Sequence, residues 1–97
     1  MEDFFTGTNG WCFLTNHSHV LVAIHREPEI RLKDLAAQVG ITPRATQRLL
    51  RDLERSGVVT IERVGRNNRY HVNPMAELSH QLEAGRSLGQ MLALLDA

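Results

Sequence analysis

Residues 42–57 carry the signals of one complete helix, and no other stretch limits the fold of this 97-residue chain as strongly. Thr42 suits the N-cap, because its hydroxyl can accept a bond from a free N–H group of the first turn. Pro43 suits the first helical position, where no N–H group is required. Gly57 suits the left-handed conformation that commonly follows a helix. The sequence therefore predicts a helix over residues 42–56 with a turn directly after it.

The predicted helix has an apolar stripe and a basic stripe. The apolar stripe repeats every three to four residues and consists of Ala45, Leu49, Leu50 and Leu53. The basic stripe points away from the core and consists of Arg44, Gln47, Arg48, Arg51 and Arg55. Exposed helix faces usually mix acids and bases, because opposite charges at i and i+4 attract, but this stripe holds four arginines and no acid. Arginine forks onto phosphates and guanine edges, so the stripe favours a nucleic-acid recognition helix over an ordinary solvated surface.

The positive charge of the chain is concentrated around this helix. The formal net charge is zero, with 11 lysine and arginine residues and 11 acidic residues. Residues 42–71, however, hold seven arginines against three acidic residues, and both flanking segments are acidic. Phosphate binding depends on such clustering, so the zero net charge does not argue against a nucleic-acid partner.

Length and composition limit the class of protein. A chain of 97 residues with 42% hydrophobic content predicts one globular domain over residues 1–97. The longest apolar run, Val20–Ile24, is five residues, too short for a membrane span. Glu2 and Asp3 stand where an export signal would carry basic residues, and the single Cys12 excludes an internal disulfide. We therefore expect a cytoplasmic protein with no membrane partner.

Two further helices are predicted before the recognition helix. The first is capped by Thr15 or Asn16 and runs to about Arg26. Residues 29–31 are interpreted as a short extended segment, and a second helix spans about 32–39 and ends at a glycine. A helix, a short turn with glycine and another helix form a helix-turn-helix arrangement.

A β-hairpin is predicted directly after the recognition helix. In residues 58–62, Val59 and Ile61 share one face and the other three side chains share the opposite face. In residues 69–72, Tyr70 and Val72 share a face in the same way. Residues 65–68 have the glycine and asparagine content of a turn. Two strands around such a turn, placed after a recognition helix, form a wing over residues 58–72.

The sequence of the C-terminal segment predicts a helix that mediates dimerisation. Asn73 can cap, and Pro74 can start, a last helix from about Met75 to Leu95. Its apolar spacing is typical of a coiled-coil seam. The predicted dimer interface consists of Met75, Leu78, Leu82, Gly85, Leu88, Gly89 and Leu92, with a further contribution from Phe4, Phe5 and Trp11. The alternative is a helix that folds back on its own domain.

With its elements in this order, the chain resembles bacterial winged helix-turn-helix transcriptional regulators, most nearly small members of the MarR-like and ArsR-like group. The resemblance covers about residues 13–73. It is carried by RLKDLA (31–36), VGIT (39–42), RLLRDLE (48–54), GVV (57–59) and GRNNRY (65–70). It implies a mainly α fold with a β-hairpin wing, a winged helix-turn-helix followed by a C-terminal dimerisation helix.

The resemblance also implies a DNA-binding geometry. In such regulators the third helix enters the major groove, and the wing tip lies along the adjacent backbone or minor groove. The implied groove contacts are Arg44, Thr46, Gln47, Arg48 and Arg51, and the implied wing contacts are Arg66, Asn67 and Arg69. The chain is therefore predicted to be a sequence-specific transcriptional regulator that binds double-stranded DNA, as a homodimer on a palindromic operator.

Other functions receive less support from the sequence. A winged helix used for protein–protein contact is the main alternative, but four arginines on the recognition face favour DNA. RNA is favoured less, because the A-form major groove does not admit a helix. No phosphate-binding loop, catalytic triad or cofactor motif is present, so neither enzymatic activity nor a cofactor is expected. His17 and His19 lie two residues apart and Cys12 has no cysteine partner, so no metal site is expected. The sequence does not define an effector ligand or a redox role for Cys12.

Overall fold

The structure is a computed structural model, and it describes residues 11–96. In that part of the chain, four α-helices, one 3₁₀ helix and two strands follow one another. They are α1 (Asn16–Arg26), α2 (Leu32–Val39), α3 (Pro43–Arg55), β1 (Val59–Val64), β2 (Asn67–Val72), the 3₁₀ helix (Gln81–Glu83) and α4 (Leu88–Leu95). Phe4 and Phe5, predicted to join a dimer interface, lie outside the described residues. None of the helices between residues 11 and 96 has the length and apolar character that a membrane span needs.

The first three helices pack around one apolar core. Val20 and Ile24 of α1 and Leu35 of α2 are fully buried. Leu50 and Leu53 bring α3 against the same cluster. Burying aliphatic side chains of this size stabilises a fold by roughly 1.5–3 kcal/mol each. The two helices predicted before α3 are confirmed.

The ends of α3 agree with the prediction. The Thr42 hydroxyl accepts a hydrogen bond from the backbone N–H of Ala45 at 3.1 Å, and Pro43 occupies the first helical position. The helix ends at Arg55, and Gly57 has a left-handed φ of 76°. Because both ends are fixed and the leucine side is buried, the direction of the basic stripe is also fixed.

The predicted hairpin is confirmed, with a tighter turn than expected. Its antiparallel register pairs Val64 with Asn67, so only Gly65 and Arg66 remain in the loop. Gly65 has a φ of 62°, a conformation that two-residue hairpin loops commonly use and that glycine adopts without strain. Asn67 and Asn68, predicted in the turn, therefore belong to β2.

The segment predicted to be extended at residues 29–31 is a loop rather than a strand. The backbone N–H of Tyr70 donates to the carbonyl of Pro28 at 2.8 Å, and the Ile30 side chain is buried. Pro28 has no N–H group to donate in return, so a strand ladder does not extend from this bond. The loop is nevertheless anchored to β2.

The predicted helix from Met75 to Leu95 is wrong. Within that span only residues 88–95 are α-helical, as α4. Residues 73–87 instead form turns, the 3₁₀ helix and one antiparallel bridge between Glu77 and Ser87. The chain therefore reverses direction before α4 and brings that helix against α1 of its own domain.

Local chemistry explains the break in the predicted helix. Gly85 has a left-handed φ of 83°, and Ser87 and Gln90 form a capping box that starts α4 at a new point. Glycine costs about 1 kcal/mol in a helix interior relative to alanine. A continuous helix would have to include both Gly85 and Gly89 and would lose this capping box.

The residues of the predicted dimer seam therefore do not share one helix face. Leu88 and Leu92 are 3% and 2% exposed in the core of their own domain, whereas Met75 and Leu82 are 79% and 86% exposed. The other predicted members are partly buried Leu78, Gly85 in its turn, and Gly89, whose N–H donates to the Pro74 carbonyl. Trp11, predicted to join them, is exposed. The observed arrangement is the alternative, a helix folded back on its own domain.

Candidate nucleic-acid interface

The basic stripe of α3 is exposed along the helix. Its arginines line a cleft of about 500 Å³ and are Arg44, Arg48, Arg51 and Arg55. The spacing i, i+4, i+7 and i+11 keeps these side chains on one helix face. Each guanidinium offers five N–H donors in a planar fork, so the face suits phosphates and purine edges.

Gln47 lies where α3 approaches the hairpin. Its side chain is exposed, and it lines a cleft between the two elements together with Ile61 and Tyr70. An amide at this position can donate and accept hydrogen bonds at the same time. Gln47 therefore connects the arginine stripe with the surface of the wing.

Thr46 is the exception among the predicted groove contacts. Its side chain is fully buried, and its hydroxyl donates to the Thr42 carbonyl at 2.9 Å. Position 46 follows Arg44 by two residues, which is about 200° of helix rotation. Thr46 therefore faces the core side of α3, and its prediction as a DNA contact is wrong.

The wing places further basic side chains beside α3. Arg66 in the turn and Asn67 next to it are both exposed, so they remain candidate contacts. Arg63 was not predicted as a contact, yet it shares the inner strand face with Ile61 and lines a cleft that also contains Gln47. The period-two alternation of β1 is the sequence signal that identifies this face.

The clefts near α3 include one of about 600 Å³ between the wing and the helices, here called the wing cleft. It is lined by Ile30, Arg31, Leu32, Gln47, Arg63, Arg66, Asn67, Asn68 and Tyr70. Three of these residues are arginines and none is acidic, while buried Ile30 and Tyr70 provide an apolar floor. The wing cleft therefore extends the basic surface of α3 to the hairpin.

Arg69 lies on the opposite face of the wing. Its guanidinium contacts Glu29 at 3.1 Å and Glu62 at 3.9 Å, and His71 contacts the same Glu62 carboxylate at 2.9 Å. The hydrogen bond from His71, with the nearby charge of Arg69, lowers the pKa of Glu62 against an opposing effect of desolvation. Arg69 thus ties the wing to the loop between α1 and α2, and its role as a DNA contact stays a prediction.

Of the described residues that line the α3 cleft, Asp52 is the acidic one. Its carboxylate contacts the His17 Nε2 atom of α1 at 3.0 Å. His19 is engaged separately, through a 3.1 Å hydrogen bond with Asn16, and Cys12 is exposed. Among residues 11–96, no three histidine, cysteine or acidic side chains come together as metal ligands would.

Comparison with known proteins agrees with this architecture. Residues 15–60 match the protein-family model described as winged helix-turn-helix DNA-binding. That segment contains α1, α2, α3 and the start of β1, so the described part of the chain has the winged helix-turn-helix fold. A search of curated proteins gives no significant match.

Within the winged helix-turn-helix class, the chain is similar to a MarR family protein from Mycobacterium tuberculosis that was solved in complex with salicylic acid. The sequence identity is 26% and the TM-score is 0.51. The match covers 62% of this chain and 47% of that chain, so this chain spans about half of that MarR family protein. The predicted resemblance to MarR-like winged helix regulators is confirmed.

Proposed function

We propose that this protein binds double-stranded DNA sequence-specifically and regulates transcription, with α3 in the major groove. The observation that carries the proposal is the exposed face of α3, on which four arginines stand on one side of a helix that is held at both ends. The B-form major groove is wide enough to admit an α-helix, and arginine is the commonest specific reader of guanine there.

The proposed contacts divide into two kinds. Arg48 and Arg51 lie in the middle of the exposed face, where a helix seated in the groove comes closest to the bases, so we assign them to base edges. Arg44 and Arg55 lie nearer the helix ends and suit the flanking phosphates. Arg66 in the two-residue turn of the wing suits the adjacent backbone or minor groove, because it is exposed at the tip of the hairpin.

We also propose that the chain acts as a homodimer. A single small module makes few DNA contacts, and joining two modules raises the effective concentration of the second. Exposed apolar side chains, including Phe13 and Leu94 at 92% and 82% exposure, support a partner surface. Phe13 adjoins Leu14 and Leu94 adjoins Leu95, and these two neighbours line one groove over α1. The C-terminal seam predicted from the sequence is not part of this proposal.

Selection of bound duplexes from a random pool tests the proposed function. The wild-type chain is expected to enrich two inverted half-sites separated by about 10 base pairs, one turn of DNA. Arg48→Ala should weaken binding to the selected duplex by about 1–3 kcal/mol, with a smaller effect on random duplex. Arg86→Ala is the matched control, because Arg86 is exposed and lies in neither the α3 cleft nor the wing cleft.

Absence of any enriched sequence would contradict sequence-specific binding. Enrichment of a single half-site without an inverted partner would contradict the homodimer alone. A chain that binds no duplex at all, while it captures a protein partner through α3, would favour a winged helix used for protein–protein contact.

A further inference from the structure

The wing cleft contains two basic side chains that are not among the proposed α3 and wing-tip contacts. Arg31 enters it from the start of α2, and Arg63 enters it from the inner face of β1. The ion pairs within residues 11–96 involve other side chains. Within residues 11–96, no acidic side chain therefore neutralises either guanidinium group.

Arg31 occupies a position where another residue would stabilise the fold better. It is the N-cap residue of α2 and makes no side-chain capping bond. Serine, threonine, aspartate or asparagine at an N-cap typically stabilises a helix through its side-chain capping bond. Positions that depart from such local preferences are commonly functional. At this position an arginine adds a positive charge to the wing cleft, which a capping residue would not supply.

Arg63 is oriented by its own hairpin. Its Nε–H donates to the Gly65 carbonyl at 3.1 Å, and this bond uses only one of its five N–H donors. The two terminal amino groups are left for a ligand. Asn68, the cross-strand partner of Arg63, lines the same cleft and adds an amide donor.

We propose that Arg31 and Arg63 together bind one backbone phosphate of double-stranded DNA in the wing cleft. This inference rests on the DNA binding proposed above and extends it to a specific site between α2 and the wing. Guanidinium groups from two elements can share the oxygens of one phosphate through charge-assisted hydrogen bonds. Such an interaction carries no sequence information, but it fixes the register of the wing relative to α3 on the duplex.

The salt dependence of binding to a duplex of random sequence tests this site. For B-form DNA, the slope of log K against log salt has a magnitude of about 0.9 for each phosphate that the protein neutralises. We expect the double variant Arg31→Ala/Arg63→Ala to have a slope smaller in magnitude by about 0.9. Each single variant should bind more weakly with nearly the wild-type slope, because the remaining arginine still neutralises the shared phosphate.

Two further variants and a folding check make the result decisive. Arg86→Ala removes one positive charge outside the wing cleft and should keep the wild-type slope. Arg31→Lys/Arg63→Lys keeps both charges and should keep the slope as well, which separates loss of charge from misfolding. Thermal melts of every variant show whether it is folded at the temperature of the titration.

Two outcomes would overturn the shared site. Unchanged affinity and slope in the double variant would remove both arginines from the interface. A slope smaller by about 1.8 would place the two arginines on two separate phosphates. These results differ from failure of the proposed function, in which the wild-type chain itself binds no duplex.

Discussion

Replacement of Leu92 by alanine should destabilise the domain strongly. The Leu92 side chain is 2% exposed and belongs to the core that also contains Leu21 and Ile24 of α1. Leu94 lies in the same helix and is 82% exposed. Leu92→Ala and Leu94→Ala remove the same atoms from the same helix. The difference between their effects on the free energy of unfolding therefore measures the packing of α4 on its own domain.

The expected magnitude follows from the buried atoms. Leucine to alanine removes three carbon groups, worth about 2.4 kcal/mol at ~0.8 kcal/mol each, and the cavity left behind adds to this cost. We therefore expect a decrease of about 3 kcal/mol in the free energy of unfolding for Leu92→Ala, within the range usual for such core substitutions. That decrease lowers Tm by roughly 12–24 °C for a domain of this size. Leu94→Ala should stay within about 0.5 kcal/mol of the wild type when unfolding is measured at a protein concentration below the dissociation constant of the proposed dimer.

Urea unfolding and thermal melts, both followed by circular dichroism, measure these differences. The two variants should separate clearly in midpoint while sharing the wild-type m-value. Equal destabilisation at both positions, or a decrease below about 0.5 kcal/mol for Leu92→Ala, would refute the packing of α4 into the domain core.

Three other substitutions test separate parts of the structure. Thr46→Val removes the buried hydrogen bond to the Thr42 carbonyl, so it should cost about 1 kcal/mol of stability and leave DNA affinity unchanged at a temperature where the variant is folded; a specific loss of affinity would return Thr46 to the interface. Arg66→Ala should lower the salt slope by about 0.9, equivalent to one phosphate, and an unchanged slope with unchanged affinity would separate the wing tip from DNA. The pKa of Glu62 is lower in the folded state, chiefly through its hydrogen bond with His71, so the unfolded chain takes up the proton first. The stabilisation of the folded state by the ionised Glu62 carboxylate is therefore complete above the ordinary glutamate pKa, and it disappears as the pH falls through the lowered pKa of the folded state. Glu62→Gln should flatten the dependence of unfolding free energy on pH in this acidic window, and a dependence equal to that of the wild type would show that Glu62 does not contribute to it.

The parts of the fold that can be predicted from the sequence are those with local signals. Thr42, Pro43 and Gly57 lie within or beside the helix that they delimit, and the stripe spacing of α3 follows from helix geometry alone. The same geometry excludes Thr46 from the basic face, because it lies about 200° from Arg44. The resemblance to other regulators implies a role for Thr46 that its position on this helix does not allow.

The wing requires information that the sequence supplies only in part. Alternation along β1 and β2 separates Arg63 from Arg69, but it does not say which other elements each strand face contacts. The backbone bond from Tyr70 to Pro28 and the ion pair between Arg69 and Glu29 bring β2 against the loop between α1 and α2. Both contacts join residues about 40 positions apart in the sequence, so they depend on the assembled fold.

The C-terminal segment is predicted wrongly because its apolar spacing has two physical solutions. Leucines at three- and four-residue intervals can form a seam for a partner chain, or they can cover a core from two separate segments. Gly85 and the capping box of Ser87 and Gln90 decide for the second solution. Gly85, Ser87 and Gln90 can be identified in the sequence. They outweigh the coiled-coil spacing of the leucines, because each one acts directly on the backbone of the helix.

Methylation interference at guanine N7 tests the placement of α3 in the major groove most directly. The N7 atom lies in that groove and accepts a hydrogen bond when arginine forks onto guanine, so a methyl group there blocks the contact. On the selected duplex, we predict that N7 methylation within each half-site abolishes wild-type binding, and that Arg48→Ala becomes insensitive at one guanine while it stays sensitive elsewhere. Wild-type binding that is indifferent to N7 methylation throughout the duplex would contradict a recognition helix in the major groove. An Arg48→Ala pattern identical to that of the wild type would contradict the assignment of Arg48 to a base.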